Sequence, residues 1–348
     1  MKKINQLVIG LIVAGLASYF TFRNVSWDEF ASSFSKINYV HIIPAFLITV
    51  LSFVTRAFRW QALLKPLKKI KTTQLFSPLM IGYMGNLLPA RAGEFLRAWL
   101  LSKKHGMTFT GSFATIIIER IFDLLMLLLL FTWLLLFRGE IFDAGIEWRG
   151  MPLSDIAFKF GMFGLAVVMA LLVFIYIVLS HRSKMVTLVQ WIIRPLPGKL
   201  HHSVEHLFEK FSEGLVVIRN REVLAKVFLW STVTWALMTL SYYPLFFAYD
   251  LNNKSLGAVV LLIVMICIFI SAFPTPGFVG SYHAGILIAL HEVLGESEIM
   301  VVSFSMVAWA LNTAVVVFCG IYFVLREHLS VKEFVEVKEA KKNRDSQT

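Results

Sequence analysis

Apolar segments of about twenty residues or more recur along this chain, and they constrain its fold more than any other feature. A helix needs roughly 20 apolar residues to cross the ~30 Å hydrocarbon core of a bilayer. The chain is 57% hydrophobic and only 16% charged, which argues against an ordinary water-soluble domain. We therefore expect an all-α polytopic membrane protein with about seven to eight transmembrane helices. The clear spans are 4–22, 40–64, 112–137, 157–180, 223–248, 255–272 and 300–325.

The placement of positive charge predicts the orientation of these helices. Of the 33 lysines and arginines, 22 lie in one set of loops and termini, 5 lie in the alternate loops, and 6 lie inside apolar segments. Loops rich in lysine and arginine stay in the cytoplasm, so both termini should be cytoplasmic. The net charge of +11 therefore reflects topology and anionic lipid surfaces, not nucleic acid. We expect a multi-pass protein of the cell (inner) membrane.

The stretch 74–101 is apolar, but glycine and proline interrupt it. Basic clusters flank both of its ends, so both ends should face the cytoplasm. At 1.5 Å per residue, its two limbs are too short for two full crossings. We predict a re-entrant hairpin with its tip near the sequence NLLPARAG, and with Pro89 and Gly93 as hinge residues.

The stretch 255–291 is broken at the sequence FPTPGFVGSYHAG. The charge pattern requires both of its ends to lie outside, so it is either a deep re-entrant hairpin or two short spans. The turn should contain Pro274, Pro276 and Gly277. Two broken hairpins of opposite orientation are typical of inverted-repeat transporters, whose site lies where the repeats meet. The alternative is that glycine and proline are simply common in membrane helices.

The remaining segments complete a domain prediction. Residues 1–326 form an integral membrane domain, and residues 327–348 form a charged cytoplasmic tail. Apolar residues at steps of three and four predict a surface-lying amphipathic helix over about 199–221. Both cysteines fall inside apolar helices, and no convincing metal-ligand cluster is present, so we expect no metal site and no cofactor.

Ionisable residues inside the apolar segments are the candidate binding residues. Each costs ~3 kcal/mol at the centre of a bilayer, so they must pair with each other or line a wet cavity. Helical spacing places Glu94 where it can bridge Arg91 and Arg97. The full set is Arg56, Arg59, Arg91, Glu94, Arg97, Glu119, Arg120 and Asp123. The arginines outnumber the carboxylates, and this excess suits a phosphate group, which arginine binds with its planar fork. Alternatively, the charges are internal ion pairs that hold the helices in register.

Three motifs occur in order: GYMGNLLPARAGEFLRAWLL, IIIERIFDLL and FPTPGFVGS. Together they resemble the lysylphosphatidylglycerol synthase transmembrane family, also called flippase-like, from the first span to about residue 325. The resemblance implies a lipid-handling membrane module and adds Asn86 to the candidate site residues. Phe278 stands where the family often has a second glycine, which puts an acidic group at this hairpin in doubt. Only 23 residues follow Leu325, so we expect no aminoacyl transfer by this chain.

The leading functional hypothesis is a lipid translocator that binds the phosphate of a phospholipid or polyprenyl-linked lipid in an arginine-lined, inner-leaflet cavity. One alternative is an integral membrane transferase acting on a phospholipid or polyprenyl-phosphate. Another is a non-catalytic partner of a separate synthase or glycosyltransferase. The sequence shows no nucleophile–base pair, so we assign no catalytic residues and favour a protein that is not an enzyme.

Overall fold

The computed structural model describes residues 27–87, 92–138, 147–148, 151–180 and 220–327. These residues are almost entirely helical, and their strands are one short antiparallel pair, Glu147–Trp148 with Met151–Pro152. Four helical stretches are long and apolar enough to cross a membrane: Tyr39–Leu64, Phe109–Phe137, Arg221–Ala248 and Glu298–Arg326. The prediction of an all-α membrane protein is confirmed. The predicted first span, the amphipathic helix near 199–221 and the tail beyond Glu327 lie outside the described residues.

The first half of the chain contains six described helices. They are α1 (Trp27–Ser35), α2 (Ile42–Leu64), α3 (Thr72–Gly85), α4 (Gly93–His105), α5 (Phe109–Phe137) and α6 (Leu153–Ser180). A short 3₁₀ turn, Tyr39–His41, leads into α2. Helix α4 ends at Gly106, whose left-handed backbone suits glycine. Helix α5 begins where the side chain of Thr108 accepts a hydrogen bond from the Gly111 amide.

The second half contains α7 (Arg221–Leu240), α8 (Tyr243–Ala248), α9 (Leu256–Ala272), α10 (Ser281–Leu287) and α11 (Glu298–Arg326). A π-helical turn, Ile288–Val293, extends α10. The predicted span 223–248 corresponds to the membrane-length stretch Arg221–Ala248, within which the chain turns at Ser241–Tyr242 between α7 and α8. Pro244 lies in the first turn of α8, where the missing proline N–H costs no helical hydrogen bond.

Helices α3 and α4 form a first hairpin whose limbs pack antiparallel at very short range. A Cβ atom added to Gly93 would lie 1.8 Å from the carbonyl oxygen of Gly82, and one added to Gly85 would lie 3.0 Å from the Gly93 Cα. Each limb rises only ~20 Å, less than a bilayer core. Helix α3 ends at Gly85 and α4 begins at Gly93, so the chain leaves the helix within the sequence NLLPARAG, and a re-entrant path through the membrane stays a prediction. Residues 88–91, which include Pro89 and Arg91, lie outside the described part of the tip.

Helices α9 and α10 form a second hairpin. Its turn has positive φ angles at Gly277 (62°) and Phe278 (60°), the left-handed region that glycine adopts most readily. A Cβ atom added to Gly285 would lie 2.9 Å from the Ile266 Cα, so these limbs also pack closely. The returning limb, Ser281–Val293, rises only ~20 Å, which favours a hairpin over two full spans.

The tips of the two hairpins touch each other. The Gly277 amide donates to the carbonyl oxygen of Leu87 across 2.9 Å, which joins the second tip to the first. Trp309 of α11 donates its indole Nε1–H to the carbonyl oxygen of Gly277, also across 2.9 Å. Both polar groups of the Gly277 backbone are therefore engaged, and the second tip is held between α11 and the first hairpin.

Candidate functional site

Glu119 of α5 lies at the centre of a network of ion pairs. Its carboxylate is fully buried and accepts hydrogen bonds from Arg59 of α2 at 2.8 Å and from Arg97 of α4 at 2.7 Å. Arg120, the next residue on α5, donates its Nη2 to Glu119 Oε1 at 3.0 Å. A buried carboxylate costs free energy unless it is paired, and three guanidinium groups provide that pairing. The network therefore ties α2 and α4 to α5.

Asp123, one turn further along α5, extends this network to a fourth helix. It accepts from Arg59 Nη1 at 2.6 Å and from Arg120 Nη2 at 3.0 Å. On α7, Trp235 donates its indole Nε1–H to Asp123 Oδ1 at 3.1 Å, and the Ser231 hydroxyl lies 3.4 Å from Arg59 Nη1. The structure thus brings the predicted charges of α2, α4 and α5 together and adds two polar residues of α7.

Arg97 does not pair with Glu94, contrary to the sequence prediction for this limb. Its guanidinium carbon lies 3.8 Å from the centre of the Trp60 ring, and its donors turn across to Glu119. Packing on the indole directs the long side chain toward α5, where the buried carboxylate is a stronger partner than the half-exposed Glu94. The other predicted partner of Glu94, Arg91, lies outside the described residues.

Arg120 takes the place that was predicted for Arg97 beside Glu94. Its Nε lies 3.6 Å from Glu94 Oε1. Helical spacing puts the Arg120 Cα about 100° from that of Glu119 around α5. The Arg120 side chain is nevertheless long enough to contact Glu119, Asp123 and Glu94 together. Because this side chain is 41% exposed, Arg120 lies at the solvent-accessible edge of the network.

Arg56 differs from the other arginines of this cluster. Arg59, Arg97 and Arg120 each pair with a carboxylate, whereas Arg56 contacts no carboxylate among the described residues. Its guanidinium carbon lies 5.1 Å from the ring centre of Phe53 and 4.9 Å from that of Tyr83. Its Nη2 lies 2.6 Å from the sulfur of Met238, and its Nε is buried without a hydrogen-bond partner. Arg56 is therefore a half-buried cation with aromatic neighbours and an uncommitted donor.

Two further polar groups at the end of α3 are unsatisfied. The Tyr83 hydroxyl, whose ring packs on Arg56, and the Asn86 Oδ1, which faces Gly93, are both buried without a partner among the described residues. Tyr83 and Asn86 are three residues apart at the end of α3, so they lie on one face of the first hairpin. A buried polar atom without a partner costs ~1–3 kcal/mol, which a bound polar ligand would offset. The Arg56 site (Arg56, Tyr83 and Asn86) is thus a candidate for ligand binding.

Sequence reasoning missed Tyr83. The signal was present, because Tyr83 lies in the motif string GYMGN, three residues before Asn86. The second half of the chain holds further polar contacts that were not predicted, between Tyr242 and Tyr282 hydroxyls at 3.0 Å and between His283 Nδ1 and the Ser305 hydroxyl at 2.9 Å. Each of these pairs joins two buried polar side chains of the second half.

The predicted hinge residues take different positions. Gly93 is buried where the limbs of the first hairpin meet, and Pro89 lies outside the described residues. Pro274 is exposed at the end of α9, whereas Pro276 and Gly277 form the 3₁₀ turn that reaches the first hairpin. Within the described ranges, no group of three or more His, Cys, Asp or Glu residues is placed to hold a metal ion.

Comparison with known proteins gives one family and one curated relative. Residues 7–320 match the sequence profile of the family described as the lysylphosphatidylglycerol synthase TM region. A segment of 121 residues is 30% identical to Glycosyltransferase AglD of Haloferax volcanii, covering 34% of this chain and 19% of that protein. The chain thus matches only a minor part of its relative. No solved structure matches.

Proposed function

The chain belongs to the lysylphosphatidylglycerol synthase transmembrane-region family, and from that premise we propose that it translocates a lipid with a phosphate-bearing headgroup. The family and the partial similarity to a glycosyltransferase support a membrane lipid-related function. The finer proposal places the protein in the cell (inner) membrane with both termini in the cytoplasm, as the positive loops predict. The lipid is a phospholipid or a polyprenyl-linked lipid.

The observation that carries this proposal is the state of Arg56. Its guanidinium is half-buried, lacks a carboxylate partner among the described residues, and packs on the ring of Tyr83, whose hydroxyl is unsatisfied. The unsatisfied Oδ1 of Asn86 lies one helical turn further along. Arginine can donate two parallel hydrogen bonds to a phosphate, and a tyrosine hydroxyl can donate a third. The other three arginines of the described cluster each pair with a carboxylate, whereas no described carboxylate offsets the charge of Arg56.

The paired charges support the Arg56 site in a second way. The described cluster contains four guanidinium groups and three carboxylates, namely Arg56, Arg59, Arg97 and Arg120 against Glu94, Glu119 and Asp123. A net positive charge in a region of low dielectric attracts an anion and repels a cation. The network also fixes α2, which carries Arg56, against α4 and α5.

The two hairpins provide elements that can move. Each hairpin limb packs through glycines on its own partner, while the two tips meet through the Gly277–Leu87 hydrogen bond. In transporters built from inverted repeats, the site lies near such broken elements and access alternates around it. We infer that the headgroup passes between the tips when this contact opens.

Reconstitution into liposomes tests the proposal. The labelled lipid is a phospholipid with a fluorophore that an impermeant reagent quenches in the outer leaflet only. We expect Arg56→Gln to slow leaflet exchange about 10-fold, because a charge-assisted hydrogen bond to phosphate is lost. Arg56→Lys keeps the charge without the planar fork and should have an intermediate rate. Lys36→Gln also removes one positive charge, from an exposed position directly after α1, and is the matched control.

An unchanged exchange rate in Arg56→Gln would contradict a role for this site in transport. The alternative function is favoured by the similarity to a glycosyltransferase: a membrane transferase, or a partner of a separate synthase or glycosyltransferase. That alternative predicts no leaflet exchange for any lipid tested. It also predicts a modified lipid when an activated donor is added, either by the protein alone or together with its partner enzyme.

A further inference from the structure

A cavity of about 400 Å³ opens at the base of the first hairpin, at the end away from its tip. Helix α3 begins there, α4 ends there, and the end of α11 lies beside them. Polar groups from all three helices line it: Thr73, Gln74, Lys104, His105, Arg326 and Glu327. It therefore lies apart from the Arg56 site, which is next to the hairpin tip.

Two residues that line this cavity, Lys104 and Glu327, form an ion pair with each other. Glu327 accepts hydrogen bonds on its Oε1 from both Lys104 and the hydroxyl of Ser77. These contacts neutralise the carboxylate and join the end of α11 to both limbs of the hairpin. The other oxygen of Glu327, Oε2, is buried and has no partner. The cavity therefore presents one uncommitted hydrogen-bond acceptor.

Its uncommitted donors are more numerous. Arg326 contacts the Tyr322 hydroxyl at 3.4 Å and has no carboxylate partner in the described part of the chain. His105 has a buried Nε2 without a partner. Arg326 therefore supplies a cation and His105 supplies a second polar group to the same cavity.

The start of α3 adds positive potential. Thr73 and Gln74 line the cavity and belong to the first turn of α3, which contains no acidic residue. The residue before the helix, Lys71, makes no side-chain cap. The first amides of a helix lack internal acceptors and carry the positive end of its dipole, and they favour an anion.

From this arrangement we propose that the cavity binds a phosphate monoester or inorganic phosphate, at a site separate from the Arg56 site. Arg326 and the Thr73 amide donate to the phosphate oxygens, whereas the Gln74 amide already donates to the Lys71 carbonyl oxygen at 2.9 Å. Inorganic phosphate keeps a P–O–H group in both ionic forms that are present near neutral pH, whereas a phosphate monoester keeps one only below its second pKa of about 6. That hydroxyl donates to Glu327 Oε2, which fits an acceptor beside a set of donors. Sulfate has the same shape but no such proton, so the site selects phosphate over sulfate.

Isothermal titration of the full-length protein in phosphatidylcholine nanodiscs tests this site, with inorganic phosphate and sulfate as the probes. We expect phosphate to bind about 10-fold more tightly than sulfate, because sulfate leaves Glu327 Oε2 without a donor. Arg326→Gln should weaken phosphate binding about 10-fold. Glu327→Gln should bring the two anions to nearly equal affinity. Arg221→Gln is the matched control, since it removes an exposed arginine from the start of α7 and should leave both affinities unchanged.

A lipid arm identifies the source of the phosphate. This arm is run at about pH 5.5, below the second pKa of a phosphate monoester. Phosphatidic acid then carries a P–O–H group, whereas phosphatidylmethanol, a diester, has none. If phosphatidic acid in the nanodisc competes with inorganic phosphate and phosphatidylmethanol does not, the ligand is a lipid headgroup. If neither lipid competes, the ligand is a soluble phosphate. Arg326→Lys serves as a second variant if Arg326→Gln fails to fold, and it should bind phosphate with intermediate affinity.

Two results would overturn the proposal. The first is wild-type protein that binds neither inorganic phosphate nor phosphatidic acid. The second is equal affinity for phosphate and sulfate together with unchanged binding in both Arg326 variants. The lipid-exchange assay tests the Arg56 site and the phosphate titration tests this cavity. Failure of one proposal is therefore distinguishable from failure of the other.

Discussion

The backbone amide of Gly277 donates a hydrogen bond to the carbonyl oxygen of Leu87, and this 2.9 Å contact joins the tips of two hairpins that lie about 190 residues apart in the chain. Trp309 holds the same peptide unit from the other side through its indole N–H. The tips therefore form a closed junction. Separation of the two tips requires the Gly277–Leu87 hydrogen bond to break.

Loss of the Trp309 donor should loosen this junction. In Trp309→Phe the aromatic packing remains but the carbonyl of Gly277 loses its partner, which should destabilise the turn by ~1 kcal/mol. Hydrogen exchange followed by mass spectrometry should show faster exchange over residues 275–280. Trp230→Phe is the control, because its ring can still stack on Phe58. Equal protection of this turn in wild type and Trp309→Phe would show that the indole does not hold the tip.

Glu119→Gln should destabilise the protein strongly. Removing the buried carboxylate leaves Arg59 and Arg97 with poorly compensated charge, and breaking a buried pair typically costs ~3–5 kcal/mol. Denaturant unfolding in detergent measures the change. Glu222→Gln, at an exposed position in the first turn of α7, should shift stability by less than ~1 kcal/mol.

A double variant separates the pairing from other effects of the Glu119 substitution. Because Arg97 and Glu119 are in direct contact, Arg97→Gln combined with Glu119→Gln should cost less than the sum of the two single changes. Additive costs would show that the two side chains are not coupled. A difference of ~1 kcal/mol or more would confirm the coupling.

Gly93→Ala should prevent the first hairpin from closing. The new Cβ atom would lie 1.8 Å from the Gly82 carbonyl oxygen, which is backbone and cannot move aside without separating the limbs. We expect little folded protein by fluorescence-detected size-exclusion chromatography. Gly106→Asn is the control, because asparagine tolerates the left-handed conformation of that helix end and no neighbouring atom obstructs it. Normal yield and stability of Gly93→Ala would contradict the close packing of α3 on α4.

Phosphate binding at the hairpin base should change the pKa of His105. Burial lowers the pKa of this imidazole below its usual value, and the nearby charges of Lys104 and Lys68 lower it further. A bound anion favours the protonated ring, so it should raise the pKa of His105, and phosphate should bind more tightly as pH falls through that pKa. NMR of histidine-labelled protein, with the signal assigned by His105→Gln, measures the pKa with and without phosphate. The same pKa in both conditions would contradict contact between the anion and His105.

Much of the fold could be predicted from the sequence, because a membrane-spanning helix must satisfy its own backbone hydrogen bonds. Such a helix is therefore recognisable from the length and hydropathy of its segment. The break of the first hairpin near Gly93 and the break of the second at Pro276–Gly277 were visible as glycine and proline in apolar runs. The turn between α7 and α8 was not predicted, since Tyr242 lies in an unbroken apolar run and only Pro244 marks it.

The partners of the charged residues were less predictable. Spacing along one helix correctly grouped Glu119 with Asp123, but it paired Glu94 with Arg97, which instead crosses to Glu119. Helical spacing describes neighbours within an element only. Side chains as long as arginine reach several ångströms across to other helices, so their partners depend on how those helices pack.

The sequence by itself determined the class of protein, the apolar segments and the presence of costly charges within them, because each of these follows from transfer of local groups between water and lipid. Tertiary structure alone decided which arginine lacks a carboxylate partner. Arg56 and Arg59 are both arginines within the same apolar helix, three residues apart, so the sequence does not distinguish them. Packing gives Arg59 two carboxylates and gives Arg56 the rings of Phe53 and Tyr83, because only the arrangement of α2 against α3 and α5 sets those distances.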